Sequence, residues 1–163
     1  MKELEGQLQG RGRRVTLVAS RFNETIVARL VEGARRCLRQ HGVAEGDIEL
    51  VWVPGAFELP QAVAGVLAAG GRDAVVALGA VIRGDTPHFE YVASAASLGL
   101  AAEARSSSVP VTFGLLTVNG LGQAEARSGG KLGNKGYDAA LAALEMISVL
   151  ERLRAAGPAS GAG

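Results

Sequence analysis

The sequence has little of several things that would assign it to a particular class of protein. A single cysteine, Cys37, excludes an internal disulfide bond. Aromatic residues make up only 4% of a chain that is 48% hydrophobic, so small aliphatic side chains must form the core. No apolar run approaches the roughly 18 residues that a membrane-spanning helix needs, and no signal-peptide pattern follows the N-terminal charges. We therefore expect a soluble, cytoplasmic protein without a membrane partner.

An excess of charge of one sign is also missing. Seventeen basic residues face sixteen acidic ones, a formal net charge of +1, which argues against nucleic acid as a partner. A chain of 163 residues can bury one core, and neither a linker nor a repeat divides it. We predict one domain over residues 1–156 and a disordered tail of small residues over 157–163. Cys37, within a helical pattern, is predicted to be a buried filler.

What is present is an alternation of strand-like and helical patterns. Nearly charge-free runs rich in β-branched residues predict buried parallel strands at Val15 to Ala19, Ile48 to Val53, Ala74 to Ile82 and Val109 to Val118. Helical patterns between them predict helices that start after Asn23, near Pro60, at Thr86-Pro87 with Thr86 as cap, at Leu121 and at Asn134. Asn23 is the expected cap of the first helix, and Gly42 the left-handed residue at its end. The pattern predicts an α/β layer sandwich with right-handed crossovers.

Two segments indicate an oligomer. The last helix has one apolar stripe through Tyr137, Leu144 and Ile147, and we expect a second on its opposite side, formed by Ala143, Met146, Leu150 and Leu153. One sheet can cover only one side of such a helix, so a neighbouring subunit is the natural cover for the other. The alternative is that the helix end packs on its own domain. Residues Lys2 to Gln9 could form an extra strand without a place in the core.

Polar and aromatic residues collect where the first three strands end. The strand ends are followed by Ser20 to Asn23, by Pro54 to Glu58 and by Arg83 to His88. Ligands of open parallel sheets bind outside the carboxyl ends of the strands. Each residue alone has a simpler explanation: Phe22 and Phe57 as core anchors, Arg83 as a solvated charge, His88 as an exposed helix residue. Together they favour a site for a flat, polar ligand and a phosphate-bearing one.

A glycine-rich connection carries further cations. The segment from Arg127 to Tyr137 reads RSGGKLGNKGY and combines three cations with four glycines. It is either a flexible connector with solvated lysines or a cationic cover over a phosphate, since arginine binds phosphate oxygens in pairs. It is not a P-loop, because no Ser or Thr follows the lysine at the required spacing.

Five segments together resemble the lumazine synthase family of riboflavin biosynthesis, over about Leu4 to Leu150. They are SRFNETI, WVPGAFELP, LGAVIRGDTPHFEYV, VPVTFGLLT and GGKLGNKGYDAALAALEM. The resemblance implies a flavodoxin-like three-layer α/β/α sandwich with a central parallel four-stranded sheet, whose N-terminal strand joins a neighbouring subunit's sheet. It also implies condensation of 5-amino-6-(D-ribitylamino)uracil with 3,4-dihydroxy-2-butanone 4-phosphate, without a metal or cofactor.

The resemblance also implies roles for individual residues. His88 would transfer protons. The ribitylaminouracil would be bound by Phe22, Asn23, Ala56, Phe57, Glu58, Ala80, Val81, Ile82 and, from a neighbouring subunit, Phe113. The butanone phosphate would be bound by Asp85, Thr86, Arg127 and Lys135.

The chain departs from the family pattern between Val118 and Gln123, where acidic residues are more usual near Asn119 and Gly122. The connection after Arg127 has no insertion. In this family a short connection accompanies assembly of homopentamers into an icosahedral shell. The resemblance also implies riboflavin synthase as a further partner. Two alternatives stay open. One is an archaeal-type riboflavin synthase, which would need no phosphate-binding cations. The other is a non-catalytic flavin-binding or cargo shell protein on the same scaffold.

Overall fold

The computed structural model describes residues 1–157, and its centre is a parallel four-stranded sheet. The strand order is β2-β1-β3-β4, which is the flavodoxin-like arrangement. The predicted strands are confirmed, except that the fourth begins two residues later. The strands are β1 (Val15–Ser20), β2 (Ile48–Val53), β3 (Ala74–Ile82) and β4 (Val111–Val118). The predicted tail lies, apart from Gly157, outside the described residues.

Five helices cover the two faces of the sheet, which confirms the predicted three-layer architecture. A short hairpin of β5 (Ser128–Gly130) and β6 (Gly133–Asn134) joins the last two helices. One core layer lies under the first, fourth and fifth helices, and the other under the second and third. Within residues 1–157, each helix is too short or too polar to span a membrane. The helices are α1 (Glu24–Gln40), α2 (Leu59–Ala69), α3 (His88–Ser106), α4 (Leu121–Arg127) and α5 (Lys135–Ala155).

Of two predicted N-caps, one is correct in position only and the other is wrong. Asn23 occupies the N-cap position of α1 but makes no capping bond, because its left-handed backbone (φ 60°) accompanies a side chain that donates to the Ala80 carbonyl at 2.9 Å. Thr86 does not cap α3, because the helix starts at His88 and Pro87 takes the N-cap position in a helical conformation. Gly42 does have the predicted left-handed backbone, with φ 97°.

Asn134, near which the last helix was predicted to start, caps α5 and joins it to α1. Its Oδ1 accepts from the N–H groups of Gly136 (2.9 Å) and Tyr137 (3.1 Å), and its Nδ2 donates to the Arg29 carbonyl at 2.8 Å. The two helices approach so closely here that a Cβ on Gly136 would overlap the Leu30 carbonyl. One side chain therefore fixes both the start of α5 and its contact with α1.

The predicted division of α5 into two stripes is wrong at one residue. Ala143 is fully buried in the layer that also contains Leu144 and Ile147, because a side chain this small fits the close contact with α1 and the sheet. Met146 and Leu153 are exposed, at 37% and 53%. They remain an apolar surface that residues 1–157 do not cover.

The N-terminal segment adds no strand to the chain's own sheet. Within residues 1–10, the Gly10 N–H donates to the His41 carbonyl at 2.9 Å, and the Glu5 carbonyl accepts from Arg152 near the end of α5. Strand β2 is left as an edge of the sheet, with one side unpaired among the described residues. Pairing of this segment with the sheet of another subunit stays a prediction.

Candidate active site

A cleft of about 670 Å³ lies at the carboxyl ends of β1, β2 and β3, on the side of α2 and α3. Nine residues of the predicted site line it, as the rule for open parallel sheets indicates. They are Phe22, Ala56, Phe57, Glu58, Ala80, Val81, Ile82, Thr86 and His88. Three further lining residues, Pro54, Gly55 and Gly84, belong to the predicted segments but had been given no role of their own. Phe89 and Val92 also line the cleft, and sequence reasoning had not singled them out.

Two backbone hydrogen bonds continue the pairing of β1 and β2 beyond the sheet. The Arg21 N–H donates to the Val53 carbonyl at 2.8 Å, and the Phe22 N–H donates to the Pro54 carbonyl at 3.1 Å. These bonds hold Phe22 beside the turn that carries Phe57. Both rings are largely exposed, at 72% and 63%, so neither is a core anchor. They can stack on a flat ring that enters the cleft.

Asn23 stands behind the cleft and does not line it. Its hydrogen bond to the Ala80 carbonyl ties the end of β1 to the end of β3. Since the amide nitrogen is engaged there, the residue contributes to the shape of the cleft wall through Ala80. Its predicted contact with a ligand is a separate matter, which stays a prediction.

The turn over residues 83–88 supplies donors for an anion. The N–H groups of Gly84, Asp85 and Thr86 donate to no acceptor within residues 1–157, and this turn leads directly into the N-terminus of α3. Free N–H groups in succession and a helix N-terminus both favour a phosphate. Gly84 and Thr86 line the cleft, whereas the exposed Asp85 does not.

His88, Phe89 and Val92 form the wall on the α3 side. His88 is the first residue of α3, its side chain is exposed, and its imidazole makes no hydrogen bond within the part of the chain described. Phe89 and Val92 lie three residues apart, so they share one helix face. That spacing, directly after a polar turn, is the sequence signal that could have found them.

Phe113, Arg127 and Lys135 do not line the cleft of their own chain. Phe113 lies on the edge strand β4 and is 49% exposed. Leu115, two residues along, packs into the layer under α2 and α3. Side chains alternate along a strand, so Phe113 points to that same face, uncovered.

The two cations lie on the other side of the sheet. Arg127 is the last residue of α4, and Ala124 of the same helix packs into the core layer with α1 and α5. The Arg127 guanidinium donates to the Gln123 carbonyl at 3.1 Å. Lys135 begins α5 and pairs with Asp138 at 2.8 Å. A single chain therefore brings the aromatic rings, the turn and the imidazole together, but not the cations.

A larger depression of about 830 Å³ lies between α1 and the β5–β6 hairpin. Its charged lining is of mixed sign, and neither an aromatic residue nor a histidine lines it. The charged residues are Arg29, Glu32, Arg36, Glu125 and Lys131. Volume alone does not identify a site, so we assign the chemistry to the smaller cleft. Residues 1–157 contain no group of three or more His, Cys, Asp or Glu side chains arranged to hold a metal ion.

Cys37 lies on the buried face of α1 and is fully buried, as predicted. Burial raises the pKa of its thiol to about 11, which keeps it protonated near neutral pH and unsuited to be a nucleophile.

These observations define a flavodoxin-like α/β protein with a cleft at the carboxyl end of its sheet whose mouth carries two exposed aromatic rings. Comparison with known proteins narrows the class. The family model of 6,7-dimethyl-8-ribityllumazine synthase matches residues 12–151, and the chain belongs to this family. A protein from Gemmatimonas aurantiaca named 6,7-dimethyl-8-ribityllumazine synthase is 55% identical over 152 residues, which cover 93% of each chain. The resemblance drawn from the sequence is confirmed.

Proposed function

We propose that the protein condenses 5-amino-6-(D-ribitylamino)uracil with (S)-3,4-dihydroxy-2-butanone 4-phosphate to 6,7-dimethyl-8-ribityllumazine, with release of phosphate and water. The observation that carries the proposal is the family match over residues 12–151. The cleft supports it, because a flat apolar mouth beside free N–H groups suits a heterocycle next to a phosphate. Both alternative functions, the riboflavin synthase and the non-catalytic shell protein, are disfavoured by the family match.

The pyrimidine would lie at the aromatic mouth. In this proposal Phe22 stacks on the ring, while the ring edge and the ribityl chain follow the segments Ala56 to Glu58 and Ala80 to Ile82. Phe57 and the half-buried Glu58 border the same space. Backbone groups and a carboxylate there can hydrogen-bond the hydroxyls of the ribityl chain.

The phosphate of the four-carbon substrate would bind the 83–88 turn. The backbone N–H groups of Asp85 and Thr86 and the Thr86 hydroxyl are its proposed donors, supported by the absence of other partners for those N–H groups within residues 1–157. Charge neutralisation would come from Arg127 and Lys135. Since neither lines the cleft of its own chain, we propose that a neighbouring subunit supplies both.

The chemistry asks for proton transfer more than for a protein nucleophile. The 5-amino group of the pyrimidine attacks the butanone carbonyl, and loss of water gives an imine. Elimination then breaks the C–O bond to phosphate, and ring closure follows with loss of a second water. His88, at the cleft wall and without a hydrogen-bond partner among the described residues, is placed to move these protons. The pyrimidine brings its own nucleophile, so the proposed steps use no metal or cofactor.

A homopentamer would complete the site. The exposed Phe113 on an edge strand would reach the cleft of the next subunit, and the N-terminal segment would pair with a neighbouring β2. The outer face of α3 supports an interface, because Tyr91 and Leu98 are 76% and 72% exposed and two such apolar side chains, seven residues apart, share one helix face. Assembly of pentamers into an icosahedral shell, contact with riboflavin synthase and a cytoplasmic location complete the proposal.

The decisive experiment mixes the protein with the two substrates. We expect a fluorescent lumazine and inorganic phosphate to appear in equal amounts, and neither when one substrate is omitted. Phosphate release without the lumazine would contradict the proposal. Sedimentation of the same sample would distinguish a pentamer from a shell.

A further inference from the structure

We propose that Arg83 is a positioning residue, which acts with Asn119 to fix the phosphate-binding turn over residues 83–88. The inference rests on the proposed function, since this turn would hold the butanone phosphate. We call the pair of Arg83 and Asn119 the brace. Arg83 itself does not line the cleft, and its side chain is 44% exposed. Its role must therefore be exerted through the residues that it contacts.

The turn has few other supports. A Cβ on Gly84 would meet nothing within 4 Å, and Asp85 and Thr86 are exposed. None of these three residues donates a backbone hydrogen bond within residues 1–157. Groups that are free to bind a phosphate are also free to move, so a fixed geometry requires a support next to the turn.

Arg83 supplies that support through four contacts. Its N–H donates to the Val118 carbonyl at 2.9 Å, and its Nε–H donates to Asn119 Oδ1 at 3.1 Å. Its Nη1 lies 3.3 Å from Glu90 Oε1, and its guanidinium carbon lies 4.6 Å from the centre of the Phe89 ring. The side chain thus joins the end of β4 to the first turn of α3.

The contact with Phe89 connects the brace to the cleft. Phe89 lines the cleft and directly follows His88. A guanidinium over the face of an aromatic ring is attracted to it electrostatically. Held in this way, the start of α3 keeps one position relative to the turn before it.

Asn119 links the brace to the cationic side of the molecule. Its N–H donates to Gln123 Oε1 at 2.9 Å, and the Gln123 carbonyl accepts from Arg127 Nη1 at 3.1 Å. A continuous set of polar contacts therefore runs from the turn of one cleft to the cation proposed for the next. The Asn119 side chain contributes the acceptor for Arg83, so this is the contact to remove.

The test compares Arg83→Met and Asn119→Leu with the wild-type protein. Both variants keep the approximate side-chain volume and remove the contact. Loss of the net contribution of one hydrogen bond should raise the KM for the butanone phosphate about five- to tenfold. The KM for the pyrimidine should change less than about twofold. The double variant should be no worse than Arg83→Met alone, because the Asn119 side chain acts on the turn only through Arg83.

Two controls separate positioning from folding. Asn119→Asp keeps an acceptor for Arg83 and should restore a wild-type KM, whereas Arg105→Met, in the last turn of α3, removes an exposed arginine far along the helix and should have no effect. Thermal unfolding of each variant checks the fold. Equal increases in both KM values, or a defect in Asn119→Asp as large as in Asn119→Leu, would overturn the inference.

Titration with inorganic phosphate tests the brace without catalysis. We expect Arg83→Met to weaken phosphate binding by about the same five- to tenfold factor. Unchanged phosphate affinity in this variant, in a protein whose wild type forms the lumazine, would contradict the brace and leave the proposed function intact. A wild type that binds phosphate but forms no lumazine would contradict the function instead.

Discussion

At the scale of single residues, the proposed site assigns substrate binding and proton transfer to different residues. Phe22 and Phe57 offer exposed rings, the 83–88 turn offers free N–H groups, and His88 is the one titratable nitrogen base among the lining residues. Holding two substrates in contact can contribute about 7–11 kcal/mol to lowering a barrier, more than one proton-transfer group supplies. Loss of the imidazole should therefore be tolerated better than loss of substrate binding.

His88→Ala should slow the reaction and leave it measurable, because the amino group that attacks belongs to the substrate. Loss of a general acid–base group costs about 10²–10⁴-fold in rate, and we expect the lower end of that range. Steady-state lumazine fluorescence measures the effect. His41→Asn is the matched control, since His41 follows α1 and is not part of the cleft. Complete loss of activity in a folded His88→Ala protein would assign the imidazole a larger role.

Arg127→Ala should chiefly weaken use of the phosphorylated substrate. A guanidinium that pairs with phosphate contributes about 1.5–3 kcal/mol, so the KM for the butanone phosphate should rise about tenfold or more. The KM for the pyrimidine should change little. Arg39→Ala, at an exposed position in the last turn of α1, serves as the control. An unchanged KM for the phosphorylated substrate would refute the assigned role.

At the scale of elements, the hydrophobic pattern predicted the strands, which depend on burial. It did not predict hydrogen bonds for which a side chain has more than one possible partner. The strands were predictable because runs apolar on both faces fit only a sheet covered on both sides. The capping bond at the start of α1 was not predictable, because the Asn23 amide donates to the Ala80 carbonyl, 57 residues away in sequence, and not to its own helix. The turns after three strands were also predictable as site segments, but no local pattern places Arg127 and Lys135 across the sheet from them.

Substitution of glycine by alanine should have opposite effects at Gly136, in the contact between α1 and α5, and at Gly65 on α2. Gly136→Ala should destabilise the protein by about 1–3 kcal/mol through overpacking against the Leu30 carbonyl. Gly65→Ala is the matched case, because Gly65 is exposed within α2 and its Cβ would meet nothing within 4 Å. It should stabilise the helix by up to about 1 kcal/mol. Thermal or denaturant unfolding measures both, and a neutral Gly136→Ala would contradict the described packing.

Glu49 predicts how one end of the sheet responds to acid. Hydrogen bonds from Arg72 and from Thr16 lower the pKa of the Glu49 carboxyl below its ordinary value of 4.5. A pKa lowered in the folded state gives stabilisation that is complete above 4.5 and is lost as the pH falls through the folded-state value. Glu49→Gln should therefore lower stability at pH 7 and lose part of its dependence on pH below 4.5. Unfolding curves across that range, with Glu24→Gln as control, test this.

At the scale of the whole molecule, each chain holds two separate parts of the proposed site. The cleft carries the rings and the turn, and the opposite side of the sheet carries the cations. Motifs in the sequence identified the residues of both parts but could not show that one chain keeps them apart, since that separation follows from the direction of each crossover. A shared site between subunits is the arrangement that uses both.

Mixed assemblies test the shared site. Phe22→Ala and Arg127→Ala each damage a different part, so each variant alone should be weakly active. When the two are unfolded together and reassembled, some sites will combine an intact cleft from one chain with an intact cation from the other. We expect activity above the mean of the two separate preparations. No recovery in reassembled oligomers of normal size would contradict sharing of the site.

The edge strands that stay unpaired within residues 1–157 would make a monomeric form of the protein prone to aggregation. Both outer strands, β2 and β4, present backbone groups that can pair with any extended chain, and Leu50 on β2 is 40% exposed. Substitutions that only separate the subunits would leave these edges open and should yield insoluble aggregates. A soluble monomer would need lysine or proline introduced along both β2 and β4 as well.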